Sequence, residues 1–463
     1  MEAIYVIDIE RAGRPVGSGP ITSAISWESE VRLGEVGDFK CKIAATDPQI
    51  LYVQPYSMLI CRAYIQTIGY IEVGRGEVRN VTTAIDPAGK PIIEVSGPDN
   101  LNRLTEKSVG YLEVGVVKKD ATNVGNPIPI IDALEIVKAE FLDLDLQTGT
   151  FSWTFDYTGI ADLTKTISYQ FAGETVLAAL TKLCELVDAH FVIDAKNVVR
   201  FRKNADFPDC GTRAIAAPAN PDPLVEGTCY IVGTPTISEE TRETFTRIIP
   251  WGYGQAEGSV GLHLLVDADK ENKVTSPAAW GSLPAGYDWV LDKDPLRPGW
   301  PLGIKHVQAE KESNAGYPGR IIEKFKKYQD IEPVLPDDLD TYSSDEQKAI
   351  RIRANKAVVQ TLIEAAINDL DEALNRTVHY NLSLLHLNHV VRPGQKIHCV
   401  FHYRLGTGWT RVDQWLNITG VRLVVDSQGV RTTDLTVSTV ARPPRLDADP
   451  LLQLYAWLNR FGA

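Results

Sequence analysis

Val391-Arg-Pro393-Gly394-Gln-Lys-Ile397-His-Cys399 decides how this chain is read, because Val53-Gln-Pro55-Tyr-Ser-Met-Leu59-Ile-Cys61 echoes it near the other end. Alternating apolar positions precede each copy: Phe39, Cys41 and Ile43 in the first, Val378, Tyr380, Leu382 and Leu384 in the second. A further block follows each, Gly76-Glu-Val78-Arg79-Asn-Val81 matched to Gly420-Val421-Arg422-Leu-Val424 with room for a one-residue slip. A turn with Asp86 and Gly89, or Asp426 and Gly429, leads to Ile93-Glu-Val95-Ser96 and Leu435-Thr-Val437-Ser438. Two copies so widely separated are too few for a solenoid and read as a duplicated domain. Period-two alternation rich in β-branched residues predicts antiparallel strands. Pro55 and Pro393 stand where a strand begins, a place that tolerates a missing N–H. Gly89 and Gly429 suit hairpin turns. Short strands at this spacing suggest a small closed or nearly closed barrel. Chance likeness between two unrelated β domains is the alternative.

At 463 residues the chain exceeds one economical core, and three or four domains are expected. With 44% hydrophobic and 23% charged residues it is not a disordered chain. A formal net charge of −13 disfavours sustained adhesion to nucleic acid or to an anionic membrane, while leaving room for DNA to slide past. The six cysteines (41, 61, 184, 210, 229 and 399) form no CxxC pair. Cys41, Cys61 and Cys184 fall in apolar periodic segments, which predicts buried, reduced thiols and assembly in a cytosol. The first residues lack the basic and apolar regions of a signal peptide, and no run reaches a membrane span of about 18 apolar residues.

Taken in order, the expected organisation is α+β, mainly β. Residues 1–105 form a first β-barrel. Residues 106–230 form an inserted α+β domain with a helix at Pro129–Phe141 and a helix–hairpin unit over 174–202. In that unit Val176, Leu177, Leu180, Leu183, Cys184 and Val187 make the buried stripe. Phe191–Ile193 and Val198–Phe201 are its hairpin strands, and 204–228, rich in Pro, Ala and Asp, reads as a linker. Residues 231–342 form an irregular β-rich domain holding Trp280, Trp289 and Trp300, and 320–328 reads as strand or short helix. A long connecting helix over 343–375 starts at the Ser343/Glu346 capping box. Its narrow apolar stripe is Ile352, Val359, Ile363, Ala366, Leu370 and Leu374, and its acids crowd the C-terminal half against the macrodipole. That arrangement predicts packing on its own subunit. Residues 376–445 form the second β-barrel, and 446–463 an amphipathic tail.

No catalytic, cofactor-binding or metal residue is expected. His398 and His402 share strand parity but lack a third ligand, and His386 and His389 have opposite parity. Asp267-Ala-Asp269-Lys-Glu271 opens like a calcium loop, yet Asn272 replaces the turn glycine and Ala278 the bidentate glutamate. Gly74-Arg-Gly76 lacks the third glycine of a dinucleotide fingerprint and reads as a strand turn. The acidic pairs Asp143/Asp145 and Asp337/Asp338 lie in polar stretches and read as solvated surface.

The ordered combination resembles a family. Gly37-Asp-Phe39-Lys-Cys-Lys-Ile43, the Pro55 strand and Val95-Ser-Gly97-Pro-Asp-Asn-Leu101 resemble the N-terminal domain of bacteriophage tail hub and tail-tip hub proteins. Glu174–Phe201 looks like their helix-plus-hairpin insertion. Arg376-Thr-Val-His-Tyr380, Val391-Arg-Pro-Gly394 and Trp415-Leu-Asn-Ile418 look like their second barrel. The resemblance implies a structural virion protein at the tail tip or baseplate, assembled in the host cytoplasm. It would be a homotrimer of pseudo-sixfold symmetry that joins a hexameric tail tube to a threefold tip and lets DNA pass. Its partners would be the tail tube or distal tail protein, the tape measure protein and a tip spike or fibre protein, with no cofactor and no enzymatic activity. Two other functions remain open: a tail-borne cell-wall or polysaccharide hydrolase with a cleft near the three tryptophans, and a host receptor-binding module.

Overall fold

Alternating apolar residues become strands along most of the chain. The computed structural model describes residues 5–11, 13–65, 69–86, 88–109, 111–114, 128–142, 153–167, 169–194, 197–216, 227–240, 244–254, 259–266, 280–311, 320–336, 339–374, 377–385, 390–405, 408–426 and 431–440. First come β1 (Tyr5–Arg11), β2 (Arg14–Pro15), β3 (Ala24–Arg32), β4 (Glu35–Ala44), β5 (Met58–Ile65), β6 (Gly69–Glu77), β7 (Asn80–Ile85) and β8 (Pro91–Pro98). Then β9 (Tyr111–Val114), β10 (Ile128–Pro129), α1 (Ile130–Phe141), β11 (Thr154–Gly159), β12 (Thr166–Ile167), β13 (Tyr169–Ala172), α2 (Val176–Leu186), β14 (Ala189–Ile193) and β15 (Val198–Lys203) follow. Next are β16 (Asp209–Ala216), β17 (Thr228–Glu240), β18 (Arg247–Trp251), β19 (Tyr287–Leu291), β20 (Pro301–His306), α3 (Val307–Lys311), β21 (Glu323–Lys327) and α4 (Ser344–Leu374). The last described elements are β22 (Thr377–Leu385), β23 (Lys396–Leu405), β24 (Gly408–Val425) and β25 (Arg431–Ser438). The fold is α+β and mainly β.

The chain divides into two compact units. The first, Met1–Asn100, Phe207–Glu240 and Thr377–Ala463, holds both barrels. In the second barrel the strands run β23-β16-β17-β22-β25-β24, and pairing of β24 back to β23 closes the ring. Tyr380, Leu382, Ile397, Cys399, Leu416 and Val437 fill it. The first barrel is built from the ladders β3-β4-β8-β7 and β1-β5-β6 around Ile7, Trp27, Phe39, Cys41, Leu59 and Cys61. Ile7 and Ile21 exchange backbone hydrogen bonds of 3.0 and 2.8 Å to bring β1 toward the start of β3.

Strands β3, β4, β5, β6–β7 and β8 correspond to β17, β22, β23, β24 and β25, whereas β1 runs antiparallel to β5 and β16, contrary to the expected all-antiparallel pattern, runs parallel to β23 and β17. Cys41 faces Val95 across β4–β8 as Tyr380 faces Val437 across β22–β25. Trp27 faces Cys41 as Ile237 faces Tyr380, which equates β3 with β17. Cys61 and Cys399 are each the fourth residue of the equivalent strands β5 and β23, and Pro55 and Pro393 each stand three residues before them. The match of Gly76 to Gly420 is corrected. Gly76 faces Leu59 as Leu416 faces Ile397, and Thr82 faces Glu94 as Gly420 faces Thr436. Gly420 therefore corresponds to Thr82.

Two further expectations change. Gly74 and Gly76 are not a turn but lie within β6, because the facing strands occupy the space of any side chain there. A Cβ on Gly76 would come 1.8 Å from Phe39, and one on Gly74 2.5 Å from the Ser29 hydroxyl. Residues 209–216 and 228–240, read as linker and irregular domain, are β16 and β17 of the second barrel. Their inward residues Cys210, Thr212 and Ala214 are small, so their period-two signal is weak. Gly89 takes φ +80° in the β7–β8 hairpin, as a glycine turn requires.

The second unit comprises Leu101–Asp206 and Thr241–Arg376. Helix α1 starts after Pro129, and α2 after Thr175, whose hydroxyl accepts the Ala178 N–H at 3.2 Å. Val176, Leu177, Leu180, Leu183 and Cys184 are all buried, as their spacing predicts. Residues 323–327 form a strand, β21, beside β18. Helix α4 packs on α2, β12, β18 and β20, all within this unit. Ser343 N donates to Glu346 at 2.9 Å and Glu346 N to the Ser343 hydroxyl at 3.4 Å, completing the capping box. The apolar stripe is not narrow: from Ala357 to Ile367 buried residues run almost all round, and Ile350 is buried rather than Ile352. The misplaced acids have tertiary partners. Lys165 lies 3.2 Å from Glu364 and Lys326 2.6 Å from Asp369, while Tyr328 bonds Asp369 and Tyr287 bonds Asp371. Burial and the Asp369 charge push the Tyr328 hydroxyl far above its ordinary pKa. The Asp143/Asp145 and Asp337/Asp338 pairs, the 267–278 loop, His386, His389 and the 446–463 tail lie outside the described residues.

Leu180→Asp places an unpaired charge in this core, and the expected outcome is loss of cooperative unfolding in a thermal melt. A milder effect comes from His190, buried at 7% exposure with Nδ1 3.0 Å from Asn204 Oδ1. Burial lowers its pKa from 6.5 to about 4, against the raising effect of Asn204. The unfolded chain takes up a proton below pH 6.5 before the folded chain does. Stability should therefore fall as pH drops from about 6.5 toward about 4, by on the order of 3 kcal/mol. His190→Gln should flatten that slope in denaturant titrations run across the same pH range.

Candidate assembly interface

Strand β24 belongs to both barrels. Up to Ile418 its inward residues, Leu416 and Ile418, enter the second core, and beyond it Leu423 and Val425 enter the first. Strict alternation would put 416, 418, 420, 422 and 424 on one face. The register slips between Ile418 and Gly420 against β25, so Thr419 is an extra residue that reverses the parity. Its hydroxyl donates to Thr436 O at 3.2 Å, and its carbonyl accepts the Leu33 N–H at 2.9 Å. Gly420 permits the crossing, since a Cβ there would sit 3.3 Å from Thr436 Cβ.

From Gly420 to Val425 the strand then pairs with β3, Gly420 opposite Arg32 and Val425 opposite Trp27. The two barrels thereby share one continuous ten-stranded sheet. Across the joint Arg422 grips Glu28 with Nη2–Oε1 at 2.6 Å and Nε–Oε1 at 2.9 Å, and that bond raises the arginine's pKa. Both side chains are exposed enough for solvent to screen the pair to below about 1 kcal/mol. Burying Leu423 and Val425 is worth about 1.5–3 kcal/mol each and decides the joint. Their neighbours are Trp27 and Phe39, whose rings stack 5.3 Å apart.

Equivalent edges recur elsewhere on the same unit. Strand β7 is the counterpart of the second half of β24, and among the described residues it pairs on one side only, with β8. Asn80, Val81, Thr82, Thr83 and Ile85 are exposed, Ile85 by 74%. Strand β17, counterpart of β3, pairs with β16 only from Thr228 to Ile231, so among the described residues Thr236–Glu240 pair with β22 alone. A groove of about 350 Å³ runs from this stretch of β17 to the β24–β3 joint, lined by Thr234, Thr236, Asn381, Asp434, Arg422 and Glu30.

Among the described residues, those weighed for catalysis do not converge. Trp280 and Trp289 are buried edge to face, 5.8 Å between ring centroids. The cavity beside Trp300 has about 20 Å³ and a single carboxylate, Asp292, facing Arg297 and His263. That space is too small for a sugar ring. His398 lies 3.1 Å from Asp413 and packs on Trp415, while His402 stands on the same strand, exposed. Among the described residues no group of three His, Cys, Asp or Glu is placed to hold a metal ion. All six cysteines are free and buried; burial raises the thiols of Cys210 to about 11 and Cys229 to about 12.

No protein-family model and no curated protein matches the chain. The chain is similar to solved bacteriophage tail proteins. A tail protein from Neisseria meningitidis is 14% identical over 95% of this chain and 99% of its own, with a TM-score of 0.47. The prophage MuSo2 tail protein from Shewanella oneidensis is 13% identical over 93% and 98%, also at 0.47. A prophage tail protein from Listeria monocytogenes is 11% identical over 98% of both chains, at 0.49. Likenesses of this size assign no role to any residue here.

Leu423→Ala should cost about 2–5 kcal/mol in chemical denaturation of the whole chain. Arg422→Ala should cost less than about 1 kcal/mol in the same measurement, because its partner Glu28 stays solvated.

Proposed function

We propose that this chain is a structural virion protein, a phage tail hub whose three copies form a ring of pseudo-sixfold symmetry. The observation that carries the reading is the pair of corresponding barrels joined by one shared strand. A tail tube made of sixfold rings offers six docking surfaces, whereas a threefold tip offers three. One chain with two barrels that share five corresponding strands supplies six β units from three copies, which closed threefold symmetry permits. The hub would sit between the tail tube or distal tail protein and a spike or fibre protein, with the tape measure protein inside. Two features support DNA passage without capture. The net charge is −13, and exposed basic residues of the joint, such as Arg422, are already paired to carboxylates. No catalysis is assigned to the chain, and its place is the tail tip or baseplate of the virion.

Solution mass combined with particle imaging checks this. The expected outcome is three chains per particle with six barrel densities around an axial channel. A tail reconstruction with six copies per ring, or with the protein away from the axis, would overturn it.

A further inference from the structure

We infer that β7 of one copy pairs with the Thr236–Glu240 stretch of β17 in a second copy, repeating between chains the joint that β24 and β3 make within one. This inference rests on the ring reading and names the surface that would close the ring. The argument is internal to the molecule. The second half of β24 has a strand on each side, β25 and β3. Its counterpart β7 has β8 on one side and, among the described residues, no strand on the other. The counterpart of β3 is β17, whose Thr236–Glu240 stretch is likewise paired on one side, with β22. Each barrel thus carries one half of a joint that the chain already shows complete.

The register follows from the correspondence. Val421 lies opposite Val31 and Leu423 opposite Ser29 in the existing joint. Transferring those positions puts Ile85 at the place of Leu423 and Glu239 at the place of Ser29, with Ala84 opposite Glu240. Leu423 is buried in the neighbouring barrel at 6% exposure, whereas Ile85 stands 74% exposed. An exposed isoleucine at the position that elsewhere plugs the next barrel is the side chain expected to plug it. The edge is also unguarded: Asn80-Val-Thr-Thr-Ala-Ile85 contains no proline and no charge, the usual devices against unwanted strand pairing. The ion pair is not repeated, because Ala84 stands where Arg422 would. The joint between chains therefore relies on the backbone ladder and Ile85, and is weaker than the joint within a chain.

The test uses the full chain with Ala84→Cys and Glu240→Cys together, oxidised after assembly, beside each single variant. Facing residues of an antiparallel pair stand about 4.5–5.5 Å apart at Cα, within disulfide reach. The expected result is a reducible band at three chain lengths for the double variant and none for the single variants. Ile85→Lys should leave the melting temperature of the isolated chain unchanged and weaken association at least tenfold by concentration-dependent light scattering. Threefold particles whose paired cysteines stay unlinked would overturn the joint and leave the ring standing. Wild-type particles without threefold symmetry would overturn the ring itself. Linkage as efficient from Thr82→Cys with Glu240→Cys would overturn the register.

Discussion

The parity reversal at Thr419 is the constraint on which the double-barrel unit depends. A strand has two faces, and an uninterrupted alternation commits each residue to one of them. One inserted residue lets the same strand give Leu416 and Ile418 to one core and Leu423 and Val425 to another. The bulge is held by the Thr419 hydroxyl and carbonyl, and the residue after it is a glycine, where a Cβ would press on Thr436 at 3.3 Å. Were Thr419 instead drawn into the ladder as an ordinary paired residue, the second half of β24 would turn Arg422 and Val424 toward the first core. The cost would fall on both barrels at once.

The first copy solves the same corner differently. There the strand breaks at Val78 and Arg79, with β6 serving β5 and β7 serving β8. Val78 completes the β5 side through bonds of 2.8 Å with Tyr56 and Ser57, and Arg79 bonds Ser96 at 3.0 Å on the other. The rings of Trp27 and Phe39 fill the interior so tightly that β6 must carry glycines at 74 and 76. The second barrel uses aliphatic and thiol side chains over much of its interior and keeps a continuous strand. Similar architecture thus rests on different packing, which is why the two copies share a pattern and few identical residues.

What the sequence made legible follows from signal strength. Pro55, Pro393, Cys61 and Cys399 stand at fixed offsets within alternating runs, and they located equivalent strands correctly. The 3.6-residue spacing of Val176, Leu180, Leu183 and Cys184 located α2, and Ser343 with Glu346 located the start of α4. Strands β16 and β17 give only a weak sequence signal, because Cys210, Thr212 and Ala214 are small and a Pro/Ala-rich stretch follows them. The joint is hidden in the sequence because a parity reversal makes an amphipathic strand look irregular. The acids of α4 looked misplaced only until Lys165, Lys326 and Tyr328, remote in sequence, supplied their partners.

The shared strand also orders events during synthesis. Glu28 and Arg422 stand 394 residues apart, so the first barrel emerges long before the strand that covers β3 and completes its core. At roughly 5–20 residues per second, that interval is roughly 20–80 s. Throughout it the nascent chain exposes a ready β edge beside the gap that Leu423 and Val425 will fill. High contact order of this kind slows folding and prolongs the danger of mispairing with neighbouring chains on the same message. Glu28, Glu30 and Arg32, charged side chains along that waiting edge, are well suited to discourage such pairing until β24 arrives.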